Sequence, residues 1–226
     1  MTNPLFEPQR EKSGSGTIAK YSYQYHWALE RAIIEHEKRT EYAIFIEFHE
    51  DVVLSDSTNK ATAKFEFNQV KTNENPFTAR SLTKRGKTKG GECVKKSILG
   101  KILDSTQNKS YTEKITSINI VSANGFSLKL KDSKFKFEKI ATSDLDSSEL
   151  QSIKDYLSDE LEGNTLPSNL NFVIPQLKES NHQTIIIGKI SELISAMFPG
   201  SRWDSTNFYR SLFDDLLRKG QNTFDY

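Results

Sequence analysis

Two β-forming runs separated by one polar turn constrain the fold of this chain more than any other feature. Residues 42–54, YAIFIEFHEDVVL, are rich in aromatic and β-branched side chains, and residues 63–72, AKFEFNQVKT, alternate cleanly. Both patterns predict strands. Residues 55–60 between them are polar, so the pair predicts a hairpin. Period-two geometry puts Phe45, Glu47, His49 and Asp51 on one face of the first strand, and Phe65, Phe67, Gln69 and Lys71 on one face of the second. The hairpin would gather Glu47, Asp51, Gln69 and Lys71 at one end of a sheet. The same parity turns Glu50 away, unless a bulge intervenes.

The flanking segments place this hairpin in an α/β (α+β) domain with a mixed sheet. Ile18, Tyr21, Tyr25, Leu29 and Ala32 recur at helical spacing, with Tyr23, Trp27 and Ile34 on a second stripe, so residues 17–38 predict a largely buried helix. Residues 1–16 read as an N-terminal arm ending in a Gly14-Ser15-Gly16 hinge. Residues 73–91 read as a polar loop ending in Gly90-Gly91, and 92–107 as a helix with Val94, Ile98, Ile102 and Leu103 inward. Residues 115–122 predict a strand, 123–125 a turn and 127–140 a further strand region. Beyond that the pattern turns helical over 144–161, 189–198 and 207–218, with a short extended piece at 171–175. The domain is expected to span 17–226, with its core at 17–140 and a helical part at 141–226.

Hydrolysis of a phosphodiester can use the residues at the hairpin end. A hard divalent cation needs oxygen ligands. Asp51 offers a carboxylate, Gln69 an amide oxygen, and Glu47, sharing the parity of Asp51, is a candidate further ligand. Lys71, two residues beyond Gln69 on the same face, can stabilise negative charge developing on a phosphate. An acid, 17 intervening residues and Gln-x-Lys recur by chance, and a hairpin end that is merely solvated would look the same. Other chemistries lack their residues. A single cysteine, Cys93, excludes disulfide frameworks and multi-cysteine metal sites. No Walker A motif and no nucleophile-elbow pattern occurs. His26, His36 and His182 have no partner spacing, and His49 reads as a packing or hydrogen-bonding neighbour of the site.

The order and spacing of several short motifs resemble the double-stranded DNA endonuclease domain that opens the CD-NTase-associated effector nucleases of bacterial anti-phage defence. These belong to the PD-(D/E)xK, restriction-endonuclease-like superfamily. The motifs are Gly14-Ser15-Gly16, Tyr23-Gln24-Tyr25 and Leu29-Glu30 on the first helix, residues 46–52 (IEFHEDV), residues 67–72 (FNQVKT) and residues 120–126 (IVSANGF). The resemblance covers most of residues 13–220. It implies a restriction-endonuclease-like mixed central sheet flanked by helices, with additional C-terminal helices. It implies Asp51 as the acidic metal ligand, Gln69 at the variable position of the (D/E)xK element and Lys71 as its lysine. Glu30 is then a candidate for the further acid on the first helix, its alternative being an exposed glutamate paired with a nearby base.

Charge adds a substrate. Net charge is only +1, yet residues 80–101 carry eight basic side chains against one acid, Glu92, while residues 144–162 carry seven acids against Lys154. The basic stretch follows the Lys71 strand, so Lys84, Arg85, Lys87 and Lys89 are candidate contacts to a DNA backbone. The acidic stretch reads as a solvated helix face. No apolar run approaches membrane-spanning length and the N-terminus lacks a signal-peptide stretch, which makes the cytoplasm the expected compartment. The expectation is a metal-dependent endonuclease using Mg²⁺ or Mn²⁺ on double-stranded DNA with little sequence specificity, associated with or fused to a regulatory or sensor domain and homo-oligomeric. Its rival is a catalytically silent nuclease-fold module for DNA binding or oligomerisation, which the neutral Gln69 favours.

Overall fold

The computed structural model describes residues 13–38, 41–87, 94–132, 137–161 and 165–220. The N-terminal arm up to residue 12, Lys89, Gly90-Gly91, Glu92, Cys93 and Glu162 lie outside them. Helix α1 (Ser13–Lys38) leads into strands β1 (Ala43–Phe48), β2 (Glu50–Ser55) and β3 (Phe65–Lys71). Then come α2 (Ala79–Thr83), β4 (Gly86–Lys87), β5 (Val94–Lys95), α3 (Ile98–Thr106) and β6 (Ile115–Ser122). The chain continues through β7 (Lys139–Ala141), α4 (Ser147–Tyr156), α5 (Ser158–Leu161), β8 (Leu170–Val173), α6 (His182–Met197) and α7 (Ser205–Gly220). Six strands form one sheet in the order β1-β2-β3-β6-β8-β7, and β4 and β5 form a separate pair. Strand β3 runs parallel to β6 and β6 to β8, whereas β1-β2, β2-β3 and β7-β8 are antiparallel. The sheet is mixed, as the pattern of elements predicts.

Helices cover both faces. Tyr23, Trp27, Leu29 and Ile33 of α1 pack with Ile186, Ile190 and Tyr209 of α6 and α7 over Val52, Leu54, Val70 and Val121. Across the sheet, Leu82, Leu99, Ile102, Ile153 and Leu157 of α2, α3 and α4 and its C-cap cover Val53, Phe67, Ile120 and Phe172. Within the first layer lies a polar ladder. Asn68, Asn119 and Asn171 sit side by side on β3, β6 and β8. Asn119 Nδ2 donates to Asn68 Oδ1 at 2.8 Å, and Asn171 Nδ2 donates to Asn119 Oδ1 at 3.2 Å and to Ser117 Oγ at 3.0 Å. All four side chains are buried. A slip of one residue on any of the three strands would strand these groups without partners.

Several elements depart from expectation. The 42–54 run is two strands, not one: the chain folds back at His49, with left-handed backbone at Glu47 (φ 54°) and His49 (φ 62°), so that Phe48 pairs with Glu50. The β2-β3 hairpin is present. Helix α1 begins at Ser13, so Gly14-Ser15-Gly16 is helical instead of a hinge. Propagation from the buried turns adds a hydrogen bond per residue, which offsets a glycine cost of about 1 kcal/mol each. The 92–107 helix starts only at Ile98, because the Ser97 side chain accepts from Gly100 N–H and caps it there; Val94 and Lys95 join β4 instead. The 73–91 loop contains α2, opened by a Thr78/Ser81 capping box. Among the described residues of the 127–140 region, only the start of β7 is a sheet strand, with an isolated bridge between Leu130 and Leu145. Among the described residues no helix is long and apolar enough to cross a membrane.

The ladder makes a stability prediction. Asn119→Ala leaves the buried amides of Asn68 and Asn171 short of partners and is expected to cost roughly 1–3 kcal/mol. The change should move the urea midpoint without changing the slope; an unmoved midpoint would show the ladder to be dispensable.

Candidate active site

The reversal at His49 does more than split a strand. Ile46 pairs with Val52 and Phe48 with Glu50, which sets Glu47 opposite Asp51. On the other side Val52 pairs with Asn68, so the next step of that register sets Asp51 opposite Gln69. Glu47, Asp51 and Gln69 therefore form one row across three strands. The single-strand parity that grouped Glu47 with Asp51 is superseded by this cross-strand pairing.

Asp51 is the centre of the row. Its Oδ2 accepts from Val70 N–H at 2.8 Å and from Lys71 Nζ at 3.0 Å. Both side chains are partly buried, 14% and 28% exposed, so the ion pair is less screened than a surface one. Gln69 is buried, and its Oε1 has no hydrogen-bond partner among the described residues. Helix α1 supplies a residue that sequence reasoning used only as a motif: Gln24 Nε2 donates to Val70 O at 3.2 Å, and Gln24 Oε1 is also buried, with no partner among the described residues. Two orphaned amide oxygens thus flank the strand that carries Lys71. The sequence signal for Gln24 was a lone polar residue between Tyr23 and Tyr25.

Glu47 belongs to the same electrostatic unit. Burial pushes its carboxyl up, the Asp51 charge adds to this, and Lys71 opposes it. Glu50 was expected to face away, but it is buried and accepts from Ser105 Oγ of α3 at 2.5 Å. Burial raises its carboxyl to about 7; the Ser105 hydrogen bond, Lys71 and Lys101 oppose this, and Asp51 reinforces it. The signal in the sequence was the polar triplet His49-Glu50-Asp51, which interrupts the apolar run where the chain turns.

Glu30 is not brought into this set. It is buried on α1 and its Oε1 lies 3.5 Å from Lys189 Nζ of α6. Six helical residues separate it from Gln24, about 9 Å along the axis and on another face. Burial raises its carboxyl, and Lys189 and Arg31 oppose this. It is a helix–helix ion pair, neither the exposed pair nor a member of the Asp51 row.

The donor set suits a hard cation. Asp51 and Glu47 offer carboxylates, and Gln69 offers an unpartnered amide oxygen. Among the described residues no group of three or more Asp, Glu, His or Cys side chains is arranged to hold a metal. A cation here would rest on one or two carboxylates, with amide, water and phosphate oxygens completing its shell, the arrangement Mg²⁺ favours.

Part of the basic stretch lies among the described residues. Lys84, Arg85 and Lys87 are exposed on the end of α2 and on β4. Arg85 Nη1 lies 3.8 Å from Asp159 Oδ2 and Lys96 Nζ lies 2.6 Å from Asp104 Oδ1. Glu160 Oε2 accepts from Ser97 N–H at 2.8 Å. The acidic segment thus touches the basic one through Glu160, with Asp159, itself 82% exposed, only near Arg85.

The sheet, its helical layers and the C-terminal helices define a restriction-endonuclease-like fold. The family model of the Cap4 dsDNA endonuclease domain matches residues 12–220, and the chain belongs to that family. No curated protein and no solved structure matches it.

Glu50 gives a pH prediction. Its folded pKa lies above the ordinary 4.5, so the folded protein binds this proton more tightly than the unfolded chain. That contribution is complete below about pH 4.5 and is lost as pH rises through about 7. Glu50→Gln keeps an acceptor for Ser105 Oγ. In metal-free protein it is expected to leave the melting temperature unchanged at acidic pH and to raise it at alkaline pH, by an amount equivalent to roughly 1–3 kcal/mol. Equal shifts at both pH values would contradict the assignment.

Proposed function

We propose that this domain hydrolyses double-stranded DNA at the Asp51–Gln69–Lys71 site with Mg²⁺ or Mn²⁺, showing little sequence preference, as a cytoplasmic effector of bacterial anti-phage defence. The observation that carries this reading is the partly buried Asp51–Lys71 pair beside the unpartnered oxygen of Gln69. Asp51 would be the main anionic ligand, Gln69 a neutral one and Glu47 a further one. A bound cation would supply Lewis-acid polarisation of the phosphate and a more acidic water. Lys71, held in place by Asp51, would face the negative charge that grows on the phosphate as the bond to the leaving oxygen breaks. Lys84, Arg85, Lys87 and Lys89 would contact phosphates, which are the same at every base step. One such site cuts one strand, so a double-strand break favours a homo-oligomer, and a regulatory or sensor region would restrain it.

Lys71→Ala is expected to lower plasmid cleavage by at least about 10²-fold in a variant whose circular dichroism matches the parent. Asp51→Asn should abolish metal-stimulated cleavage, and excess chelator should stop the parent protein. Undiminished cutting in chelator would remove the metal-dependent reading. The neutral Gln69 favours the second reading, a silent binding module, which requires DNA binding with no cleavage under either cation.

Neutralising Lys84, Arg85 and Lys87 together in a Lys71→Ala background should weaken binding to all sequences alike. The slope of log K against log salt should flatten by about 2–3, at roughly 0.9 for each phosphate no longer neutralised. An unchanged slope would put the DNA path elsewhere.

A further inference from the structure

The row next to Glu47–Asp51–Gln69 on the same face of the sheet is Phe45–Val53–Phe67, fixed by the same registers. Two residues along a strand separate the rows, about 6.6 Å. The outer end of this second row lies open. Phe45, Phe48, His49, Phe65 and Tyr111 surround an open apolar cavity of about 370 Å³ there. Its rings are already arranged against one another: Phe48 and His49 have centroids 4.3 Å apart, His49 and Tyr111 5.5 Å, and Phe67 and Tyr111 are stacked at 5.8 Å and 11°.

We propose that this cavity receives an unstacked nucleobase of the strand being cut, next to the phosphate held at Asp51. The inference rests on the nuclease reading above and deepens it by naming what the site selects. Three observations favour a base over a protein side chain. Val53 and Phe67, which line the cavity, form the row next to Asp51, so a strand whose phosphate stands at Asp51 would carry a neighbouring base toward the rings. Lys60 lines the rim, and Lys114 Nζ fastens the turn carrying it by donating to Lys60 O at 2.9 Å. A cation beside π faces complements a nucleotide, which has an anionic linkage and a flat ring. The wall and the acids are also tied together: Tyr111 O–H donates to Ser105 O at 2.9 Å, and Ser105 Oγ donates to Glu50. Cavity and site therefore keep a fixed separation. A paired, stacked base cannot enter, so cutting should favour phosphates beside mismatches, bulges and the easily opened pyrimidine–purine steps. Specificity would arise from deformability instead of base-edge contacts.

The test has a binding arm and a cleavage arm. In a Lys71→Ala background, a duplex with 2-aminopurine in a single-base bulge is compared with its fully paired counterpart. Its fluorescence should fall on binding for Phe48 and for Phe48→Tyr, but not for Phe48→Leu, which keeps apolar bulk and loses the ring. In the otherwise native protein, cuts on a duplex with one mismatch should cluster beside it about tenfold over other positions, the scale of one base–aromatic stack. Phe48→Leu should flatten that map, and melting curves confirm that it folds. Equal fluorescence with Phe and Leu, or a flat map for the parent, would overturn the proposal. Altered self-association with unchanged DNA signals would assign the cavity to a second copy and overturn it too. Cleavage without quenching sinks the cavity alone; quenching without cleavage under either cation sinks the nuclease reading alone.

Discussion

A single carboxylate oxygen ties the candidate active-site edge of this domain together. Asp51 Oδ2 accepts from the backbone of β3 at Val70 and from the side chain of Lys71. The backbone bond fixes where β2 meets β3, and the side-chain bond aims the lysine. Neither partner would be placed without the registers that put Asp51 between Glu47 and Gln69. Those registers in turn depend on β3 being held at its far side by β6 and the asparagine ladder. The chemistry stands on one half of the sheet and the register on the other.

Much of this was legible from residues alone. Alternation in 63–72 gives β3 and the face shared by Gln69 and Lys71, because successive side chains of a strand point to opposite faces. The aromatic stripes of α1 give a helix that is buried through its middle from Tyr23 to Ile33, while Ile18 and Tyr21 at its start stay exposed. The reversal at His49 was marked only by the polar triplet His49-Glu50-Asp51: aromatic and β-branched residues flank it on both sides, and a left-handed turn at two non-glycine residues leaves little mark in composition. Glu30 was a candidate site acid on the resemblance alone, and helical spacing does not say which neighbour a face meets. Its partner, Lys189, is remote in sequence and reached only by packing of α6 against α1. Gln24 was visible as a residue but not as a group aimed at Val70.

The separated charges also acquire a structural meaning. Asp159 and Glu160 occupy positions against Arg85 and the N-terminus of α3, where backbone N–H groups favour negative charge. Gly100 is the residue that lets the Glu160 carboxylate approach, since a side chain there would collide with it. The acidic and basic stretches are two sides of one folded substructure.

The left-handed backbone at Glu47 and His49 has a further consequence. Such conformations cost roughly 1–2 kcal/mol per non-glycine residue, and here they fall where β1 is the outermost strand of the sheet. An edge strand joined through a strained turn is the part of a sheet that opens first. Warming should fray β1 and disperse the Glu47–Asp51–Gln69 row while the ladder-held centre stays folded. Competence for chemistry and integrity of the core then have separate thermal limits, the first below the second.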